Sequence, residues 1–284
     1  MRLATLRETD GQNVKEEAAV VTSRGLVPVR EINAHLGKVW PTELYRLIHQ
    51  GLSSLLLEDA ERTPIALSPS QVQFGPLYRH PRKIWGIGLN YREHAQDLSA
   101  TFPSEPASFM KGDQTIIGPG DHVLLPIQSE RVTAEAELGV VIGRTCRNVS
   151  QDEALSYVAG VCLVLDMTAE DMVLKNPRYL TRAKNFDTFF SFGPELITLD
   201  EIPDLLSLRV GTYLNGALHR ENVVSNMAFT PDYLVSFHSH VATLYPGDII
   251  STGTPGAVLI RGGDVAECRI ETLGELKNPV RGMN

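Results

Sequence analysis

From Lys83 onward the chain is a succession of short apolar segments separated by glycine- and proline-containing turns. The segments are KIWGIGL, HVLLP, AELGVVIG, VAGVCLVLDM, LRVGTYLNG, PGDIISTGTPG and AECRIETLG. Strands of this length with turn signals between them favour a large, mostly antiparallel sheet or barrel-like roll. Helices are fewer, and we expect them at residues 91–98, near 151–157, after Asp166 and around 231–238. The pattern predicts an α+β fold that is mostly β.

Residues 1–75 are expected to form a small N-terminal α+β domain. The segments LATL, AAVV and LVPV are broken by the turn signals DG and SRG, which predicts β-hairpins. Apolar residues at three-and-four spacing from Leu44 to Leu56 predict an amphipathic helix after Pro41. The stretch 67–81 is rich in turn residues and has little periodicity, so we place the boundary there and assign residues 76–284 to a second, catalytic domain.

Charge and cysteine content exclude several classes of function. Acidic residues outnumber basic ones by 34 to 26, the net charge is -8, and lysine and arginine form no stripe, so nucleic acid is not an expected partner. Cys146, Cys162 and Cys268 include no C-x-x-C pair, which predicts neither a disulfide framework nor a thiolate zinc site. The amino terminus lacks the apolar segment of a signal peptide, and no apolar run could cross a bilayer. We expect a cytoplasmic protein with no membrane partner.

Three carboxylates are candidate metal ligands. Glu135 and Glu137 lie two residues apart next to an apolar strand, where side chains at i and i+2 share one face. Such a pair is either solvated or held together by a cation or proton, and the pair alone leaves both interpretations open. Asp166 ends an apolar run that should be interior, where a carboxylate needs a partner. Three carboxylates without nearby histidine or cysteine suit Mg²⁺ or Mn²⁺, and Ca²⁺ less well.

A histidine and a lysine are further candidates. His94 lies in NYREHAQD, directly after a strand, where we expect the first turn of a helix. The helix dipole there favours neutral imidazole, and Asp97 lies one turn further along the same face, so His94 could act as a general base. Lys184 and Asp187 in RAKNFD form, on local grounds, an ordinary surface ion pair.

Seven strings of the sequence, in order, resemble those of the fumarylacetoacetate hydrolase family. They are KIWGIGLNYREHAQD, PASFMKGDQTIIGPGD, AEAELGVVIGRTCRNVS, YVAGVCLVLDMTAED, RAKNFDTFFSFGPELIT, YLNGALHRENVV and LYPGDIISTGTPGAV. The resemblance covers nearly all of residues 80–280, and the ordered set is specific for the family although no single string is. It implies a mixed β-sandwich roll with a small N-terminal domain, commonly found as a homodimer, that acts on a small-molecule carboxylate substrate.

The resemblance also implies roles for individual residues. The E-x-E motif and the aspartate of the following strand become metal ligands, and the histidine motif and the K-x-F-D lysine become catalytic. The metal ligands implied are Glu135, Glu137 and Asp166, and the catalytic residues implied are His94, Asp97 and Lys184. Thr254 of the G-T-P turn and Lys111 of the F-x-K motif are implied to contact the substrate or support its site.

The chain departs from the family at two positions where the substrate is expected to bind. Many pyruvate-yielding members carry an arginine four residues after the ligand aspartate and a glutamine three residues further on. This chain has Glu170 and Val173 there. Glu170 would repel a 2-oxo carboxylate unless Arg178 or Arg182 compensates its charge.

The leading hypothesis is metal-dependent hydrolysis of a carbon–carbon bond in a 1,3-dicarbonyl acid such as fumarylacetoacetate or an acylpyruvate. His94 would activate water and Lys184 would hold the developing enolate, with Mg²⁺ or Mn²⁺ as the Lewis acid. Decarboxylation or keto–enol isomerisation, of oxaloacetate or a 2-hydroxyhepta-2,4-diene-1,7-dioate for example, stays open because it needs the same enolate. A pocket that only binds a ligand also stays open, whereas a non-haem iron oxygenase is disfavoured because it would need two histidines beside one carboxylate.

Overall fold

A computed structural model of the chain describes residues 1–11, 13–92 and 103–282, and the fold is α+β and mostly β, as expected. The strands are β1 (Arg2–Asp10), β2 (Asn13–Thr22), β3 (Gly25–Pro28), β4 (Gln73–Phe74), β5 (Ile84–Gly88), β6 (Ala107–Lys111), β7 (Ile116–Ile117), β8 (Val123–Leu125), β9 (Val132–Ile142), β10 (Val158–Ala169), β11 (Phe190–Ile197), β12 (Arg209–Leu214), β13 (Ala217–Val223), β14 (Ile249–Ser251), β15 (Ala257–Ile260), β16 (Val265–Ile270) and β17 (Gly274–Gly282). The helices are α1 (Val29–Leu36), α2 (Leu44–Gln50), α3 (Ser54–Arg62), α4 (Gln151–Ala154), α5 (Glu170–Lys175), α6 (Leu180–Lys184) and α7 (Pro231–Val241).

The strands form one large sheet and one smaller sheet. The twelve-stranded sheet runs β3-β2-β1-β11-β10-β9-β14-β5-β6, and β4, β7 and β15 pair beside this path. The five-stranded sheet runs β13-β12-β16-β17-β8. Most pairs are antiparallel, but β14 runs parallel to β5, and this pairing brings the STGTPG turn beside the end of β5.

The N-terminal strands belong to the large sheet. Strand β1 pairs with β11, with Arg2 opposite Ile197, so the hairpin of β1 and β2 extends the sheet formed by the rest of the chain. The domain boundary near residue 75 stays a prediction. Among the described residues, no helix is both long and apolar enough to cross a membrane.

The five helices expected from the sequence met different outcomes. Helices near residues 151, 170 and 231 are confirmed as α4, α5 and α7. The single amphipathic helix after Pro41 is wrong, because Gly51 adopts a φ of 91° and separates α2 from α3. The helix expected at 91–98 lies almost entirely outside the described residues.

The central strands β9 and β10 carry a different core on each face. On one face, Leu138 and Leu165 belong to a large apolar cluster that packs against the smaller sheet. On the other face, Val141 and Val164 belong to a second apolar cluster, which the N-terminal helices cover. Side chains of a strand alternate between faces, so odd-numbered residues of β9 and even-numbered residues of β10 point toward this second face. Carboxylates at such positions are therefore interior.

Candidate active site

The three candidate ligands lie together on strands β9 and β10. Asp166 is directly opposite Glu135 in the antiparallel register, and Glu137 is two residues further along β9 on the same face. One carboxylate oxygen from each residue lies within 4.8 Å of the others. The sequence had suggested that Asp166 ends its strand. Strand β10 instead continues to Ala169, so Asp166 lies inside it. Asp166 and Glu137 are fully buried, and Glu135 is half-buried.

The innermost carboxylate, Glu137, is held by the turn after β14. Ser251 Oγ donates to Glu137 Oε2 at 2.5 Å, and the backbone N–H of Gly253 donates to the same oxygen at 2.8 Å. Burial, followed by the charge of Asp166, raises the pKa of Glu137 to about 8. Gly253 has a φ of 96°, and a Cβ there would lie 2.8 Å from the Cβ of Asn90. Only glycine lets this turn approach closely enough to hold the carboxylate.

Lys184 at the end of α6 points into the carboxylate cluster. Its Nζ donates to Glu135 Oε2 at 2.8 Å and to Asp166 Oδ2 at 2.9 Å, and the residue is 5% exposed. Burial alone would lower the pKa of Lys184, but the charges of Asp166 and Glu135 outweigh burial and raise this pKa above its usual range. The interpretation of Lys184 and Asp187 as a surface ion pair is therefore wrong. The local sequence could not reveal that α6 ends over β10.

Lys111 at the end of β6 contacts the Asp166 carboxylate oxygen that Lys184 does not contact. Its Nζ donates to Asp166 Oδ1 at 2.7 Å and also to the backbone carbonyl of Lys184. Lys111 is buried, and burial lowers the pKa of its ammonium group. The side chain is not on the wall of the cavity described below, so the geometry gives no support to a direct substrate contact.

The cluster fits a hard divalent cation. Its candidate ligand atoms are all carboxylate oxygens, the type of ligand that Mg²⁺ and Mn²⁺ prefer. The ammonium group of Lys184 already lies between oxygens of Glu135 and Asp166, which shows that the two acids accept a cation between them. Thr168 Oγ1 donates to the other oxygen of Glu135 at 2.6 Å and so orients this ligand. Thr168 was not among the residues predicted from the sequence. Its spacing of two from Asp166, which puts both side chains on one face of β10, is the signal that indicates its place in the site.

A cavity of about 530 Å³ opens above the carboxylates. Its lining is mostly apolar, with a few polar groups near the metal ligands. The lining residues are Ile87, Gly88, Leu89, Ala107, Phe109, Thr133, Glu135, Thr168, Glu170, Val173, Leu174, Pro177, Leu180, Lys184, Thr254 and Ala257. A concave, mostly apolar site with a few convergent polar groups is typical of a small-molecule pocket. Thr254, Glu170 and Val173, which the sequence assigned to the substrate, are on its wall.

The arginine beside Glu170 is not one of the two that the sequence suggested. Arg131, just before β9, forms an ion pair with the Glu170 carboxylate, and its backbone carbonyl accepts from the N–H of Glu170. Arg178 and Arg182 are exposed, and Arg182 hydrogen-bonds Gln128 at 2.7 Å. Arg131 lies 39 residues from Glu170 in the sequence, and only the pairing of β9 with β10 brings them together.

The proposed base and its partner belong to a segment next to strand β5 in the sequence. His94 and Asp97 lie outside the described residues. Strand β5, which precedes them in the chain, contributes Ile87 and Gly88 to the cavity wall, and Leu89 follows on the same wall. The role of His94 stays a prediction.

Comparisons with known proteins agree on one family. The family model described as "Fumarylacetoacetate (FAA) hydrolase C-terminal" matches residues 83–281. Oxaloacetate tautomerase Fahd2a, mitochondrial, of Rattus norvegicus is 34% identical over 250 residues, which is 84% of this chain and 80% of the relative.

Two enzymes are among the solved structures that match this chain over its whole length. Maleylpyruvate hydrolase from Sphingobium sp. SYK-6, in complex with a manganese(II) ion and pyruvate, has a TM-score of 0.81 and 29% identity over 100% of both chains. The 5-carboxymethyl-2-hydroxymuconate delta-isomerase from Mycobacterium smegmatis has a TM-score of 0.73 and 27% identity, also over 100% of both. These relatives are enzymes with different reactions. This chain belongs to the fumarylacetoacetate hydrolase family.

Proposed function

We propose that the protein hydrolyses a carbon–carbon bond in a 1,3-dicarbonyl acid and needs a divalent metal ion to do so. The observation that carries the proposal is the cluster of Glu135, Glu137 and Asp166 with the Lys184 ammonium among them. Glu135 and Lys184 connect this cluster to the cavity, because both line its floor. Glu135, Glu137 and Asp166 would hold Mg²⁺ or Mn²⁺, which supplies Lewis-acid polarisation of carbonyl oxygens. A neighbour in fold is described as a maleylpyruvate hydrolase in complex with manganese and pyruvate, which supports this choice of metal and reaction.

The protein's own groups would act on the substrate as follows. The oxygen of water forms a bond to the distal acyl carbon as His94 takes a proton from the water. The bond between this carbon and the central methylene carbon then breaks, and its electron pair stays on the methylene carbon as the enolate of the 2-oxo acid. Lys184, whose charged form is favoured by its two carboxylate partners, donates to the developing enolate oxygen. Protonation of the enolate carbon gives the 2-oxo acid, and the acyl part leaves as a carboxylic acid.

Keto–enol tautomerisation or isomerisation is the second candidate. The relative from Rattus norvegicus is named an oxaloacetate tautomerase, and the neighbour from Mycobacterium smegmatis is named an isomerase. The cavity favours hydrolysis of a larger acid over tautomerisation of oxaloacetate. A four-carbon diacid would leave the apolar wall formed by Phe109, Val173 and Leu180 in contact with water, which loses the benefit of burying that surface.

The test measures metal binding and product release on the same variants. Glu135→Gln and Asp166→Asn are expected to lose both Mn²⁺ binding in calorimetry and release of pyruvate from acylpyruvates, because each removes a charged ligand. Glu130→Gln, which makes the same chemical change at an exposed position, is the control and should keep both. An Asp166→Asn protein that turns over without metal would refute the proposal.

A second variant separates the two reactions. His94→Ala is expected to keep Mn²⁺ binding and lose hydrolysis, because the attacking water no longer has a base. If His94→Ala instead keeps full turnover, and product analysis finds an isomer or a decarboxylated acid in place of two fragments, the second group of reactions is correct.

A further inference from the structure

The cavity has a charged floor and an apolar outer part. At the floor, Lys184 is 5% exposed, whereas Leu174 at the outer end is 71% exposed, so the cavity runs from the edge of the carboxylate cluster to solvent. One side of this channel is formed by Leu89, Ala107 and Phe109 of the β5–β6 region. The other side is formed by residues of α5, α6 and the segment between them. These are Val173, Leu174, Pro177 and Leu180.

The described wall offers a distal anion no partner. Its one cationic group is Lys184, and both carboxylates that Lys184 contacts lie at the floor. The one charged group of the described wall away from the floor is the carboxylate of Glu170. Its ion-pair partner Arg131 is half exposed and does not line the cavity. On the part of the wall that the structure describes, a second carboxylate at the far end of the substrate would therefore meet a like charge and apolar side chains.

We propose that the enzyme selects 2,4-dioxo acids whose distal acyl group is neutral and apolar, and that Glu170 rejects those whose distal group carries a carboxylate. This inference rests on the proposed hydrolysis and adds the class of substrate. An alkyl or aryl group would be buried against Phe109, Val173 and Leu180, which stabilises its complex in proportion to the apolar area removed from water. A distal carboxylate would lose hydration without gaining a partner on the described wall. Glu170 would still repel it, because Glu170 lines the cavity and its compensating partner Arg131 does not.

The test uses two acids of equal length that differ only at the far end. The acid 2,4-dioxoheptanoate ends in a methyl group, and 2,4-dioxoheptanedioate ends in a carboxylate. For the Mn²⁺-loaded wild type, we expect kcat/KM for the neutral acid to exceed that for the diacid by about tenfold or more, the size of effect that one like charge produces at a partly buried site. Pyruvate release reports both reactions.

Glu170→Gln removes the charge and keeps the size of the side chain. We expect the ratio of the two kcat/KM values to fall by about tenfold, because the repulsion disappears and the guanidinium of Arg131 becomes free to attract the diacid. Glu130→Gln, at an exposed neighbouring position off the cavity wall, should keep the wild-type ratio. Thermal unfolding of each variant checks that the fold is intact.

The possible outcomes are distinct for the two proposals. A wild type that prefers the diacid, or a ratio that Glu170→Gln leaves unchanged, overturns the inference while the hydrolysis itself stands. If neither acid is cleaved, the proposed hydrolysis is wrong, and the same two acids become ligands for calorimetry with the Mn²⁺-loaded protein. Tighter binding of the neutral acid, lost in Glu170→Gln, would then still support the inference, and equal binding would overturn it.

Discussion

Replacing Lys184 with methionine tests whether its ammonium group opposes the binding of a metal ion to Glu135 and Asp166. The Lys184 ammonium donates to Glu135 at 2.8 Å and to Asp166 at 2.9 Å, so it occupies space beside two of the expected ligands. A divalent ion on the same oxygens would lie close to this ammonium. At an effective dielectric constant of about 20, an ammonium group and a divalent ion 4 Å apart repel by about 8 kcal/mol, twice the value for two unit charges. If only an eighth of this repulsion acts, about 1 kcal/mol, removing the ammonium tightens metal binding about fivefold.

The same substitution should destabilise the metal-free protein. Without Lys184, Lys111 is the one cationic partner that the described residues still offer the buried Asp166, and Glu135 loses its ion pair with Lys184. Breaking a buried ion pair by removing one partner costs about 3–5 kcal/mol. Because a divalent ion can replace the lost charge, most of this loss should disappear when Mn²⁺ is present. Lys184→Met should also lower turnover by about a hundredfold or more, as expected when a donor to the developing oxyanion is removed.

Calorimetric titration with Mn²⁺ measures the change in metal affinity. Urea unfolding, in Mn²⁺ and separately in chelator, measures the change in stability. Lys277→Met is the control, because Lys277 is partly exposed and forms an ion pair with Glu275 far from the cluster in sequence and on another sheet. Weaker Mn²⁺ binding by a Lys184→Met protein that is as stable as the wild type would refute the reasoning. It would mean that Lys184 holds Glu135 and Asp166 in position for the metal and does not compete with it.

Three further predictions concern the turn, the innermost carboxylate and the assembly. Gly253→Ala should cost about 1–3 kcal/mol of stability and weaken metal binding. The reason is that its Cβ would meet Asn90 and displace the N–H that holds Glu137. Unchanged urea unfolding and unchanged Mn²⁺ affinity in calorimetry would contradict this prediction. The pKa of Glu137 is about 8 in the folded protein against 4.5 in the unfolded chain, so the stability it gives the metal-free protein is complete below about pH 4.5 and is lost as the pH rises through about 8. The loss is on the order of 5 kcal/mol, and urea midpoints in chelator from pH 5 to 9 should show it in the wild type but not in Glu137→Gln. The expected homodimer predicts a solution mass twice the 31.3 kDa of one chain, and light scattering measures it.

The positions of the strands and the carboxylate cluster were predictable because their signals are local. Alternation along VTAEAELGVVI places Glu135 and Glu137 on one face, and the structure confirms that they share it with Asp166. Apolar runs between turns marked the strands of both sheets. The pairing of these strands was not predictable, since β14 lies between β9 and β5 although it follows β9 by more than a hundred residues.

The environment of each charged group was much harder to infer. Lys184 lies in a polar string that is typical of an exposed helix end, yet α6 ends over the buried face of β10. Arg131 carries no local signal for its pairing with Glu170, because the contact depends on where β9 begins relative to the end of β10. Burial and charge partners are properties of the tertiary packing, and sequence spacing constrains them only within one element.

The two buried lysines explain how three carboxylates can be interior without a metal. Unpaired charges in a core are strongly unfavourable, and Glu135, Glu137 and Asp166 would repel one another. Lys111 contacts Asp166, and Lys184 contacts both Asp166 and Glu135, while the pKa of Glu137 near 8 lets this third acid hold a proton. The negative charge of the cluster is thus balanced by groups of the chain itself. In zinc fingers the metal supplies the folding energy, whereas here the ligands can be assembled as β9, β10, β6 and α6 pack. Under the proposed function, the metal would then be required for the chemistry and not for the fold.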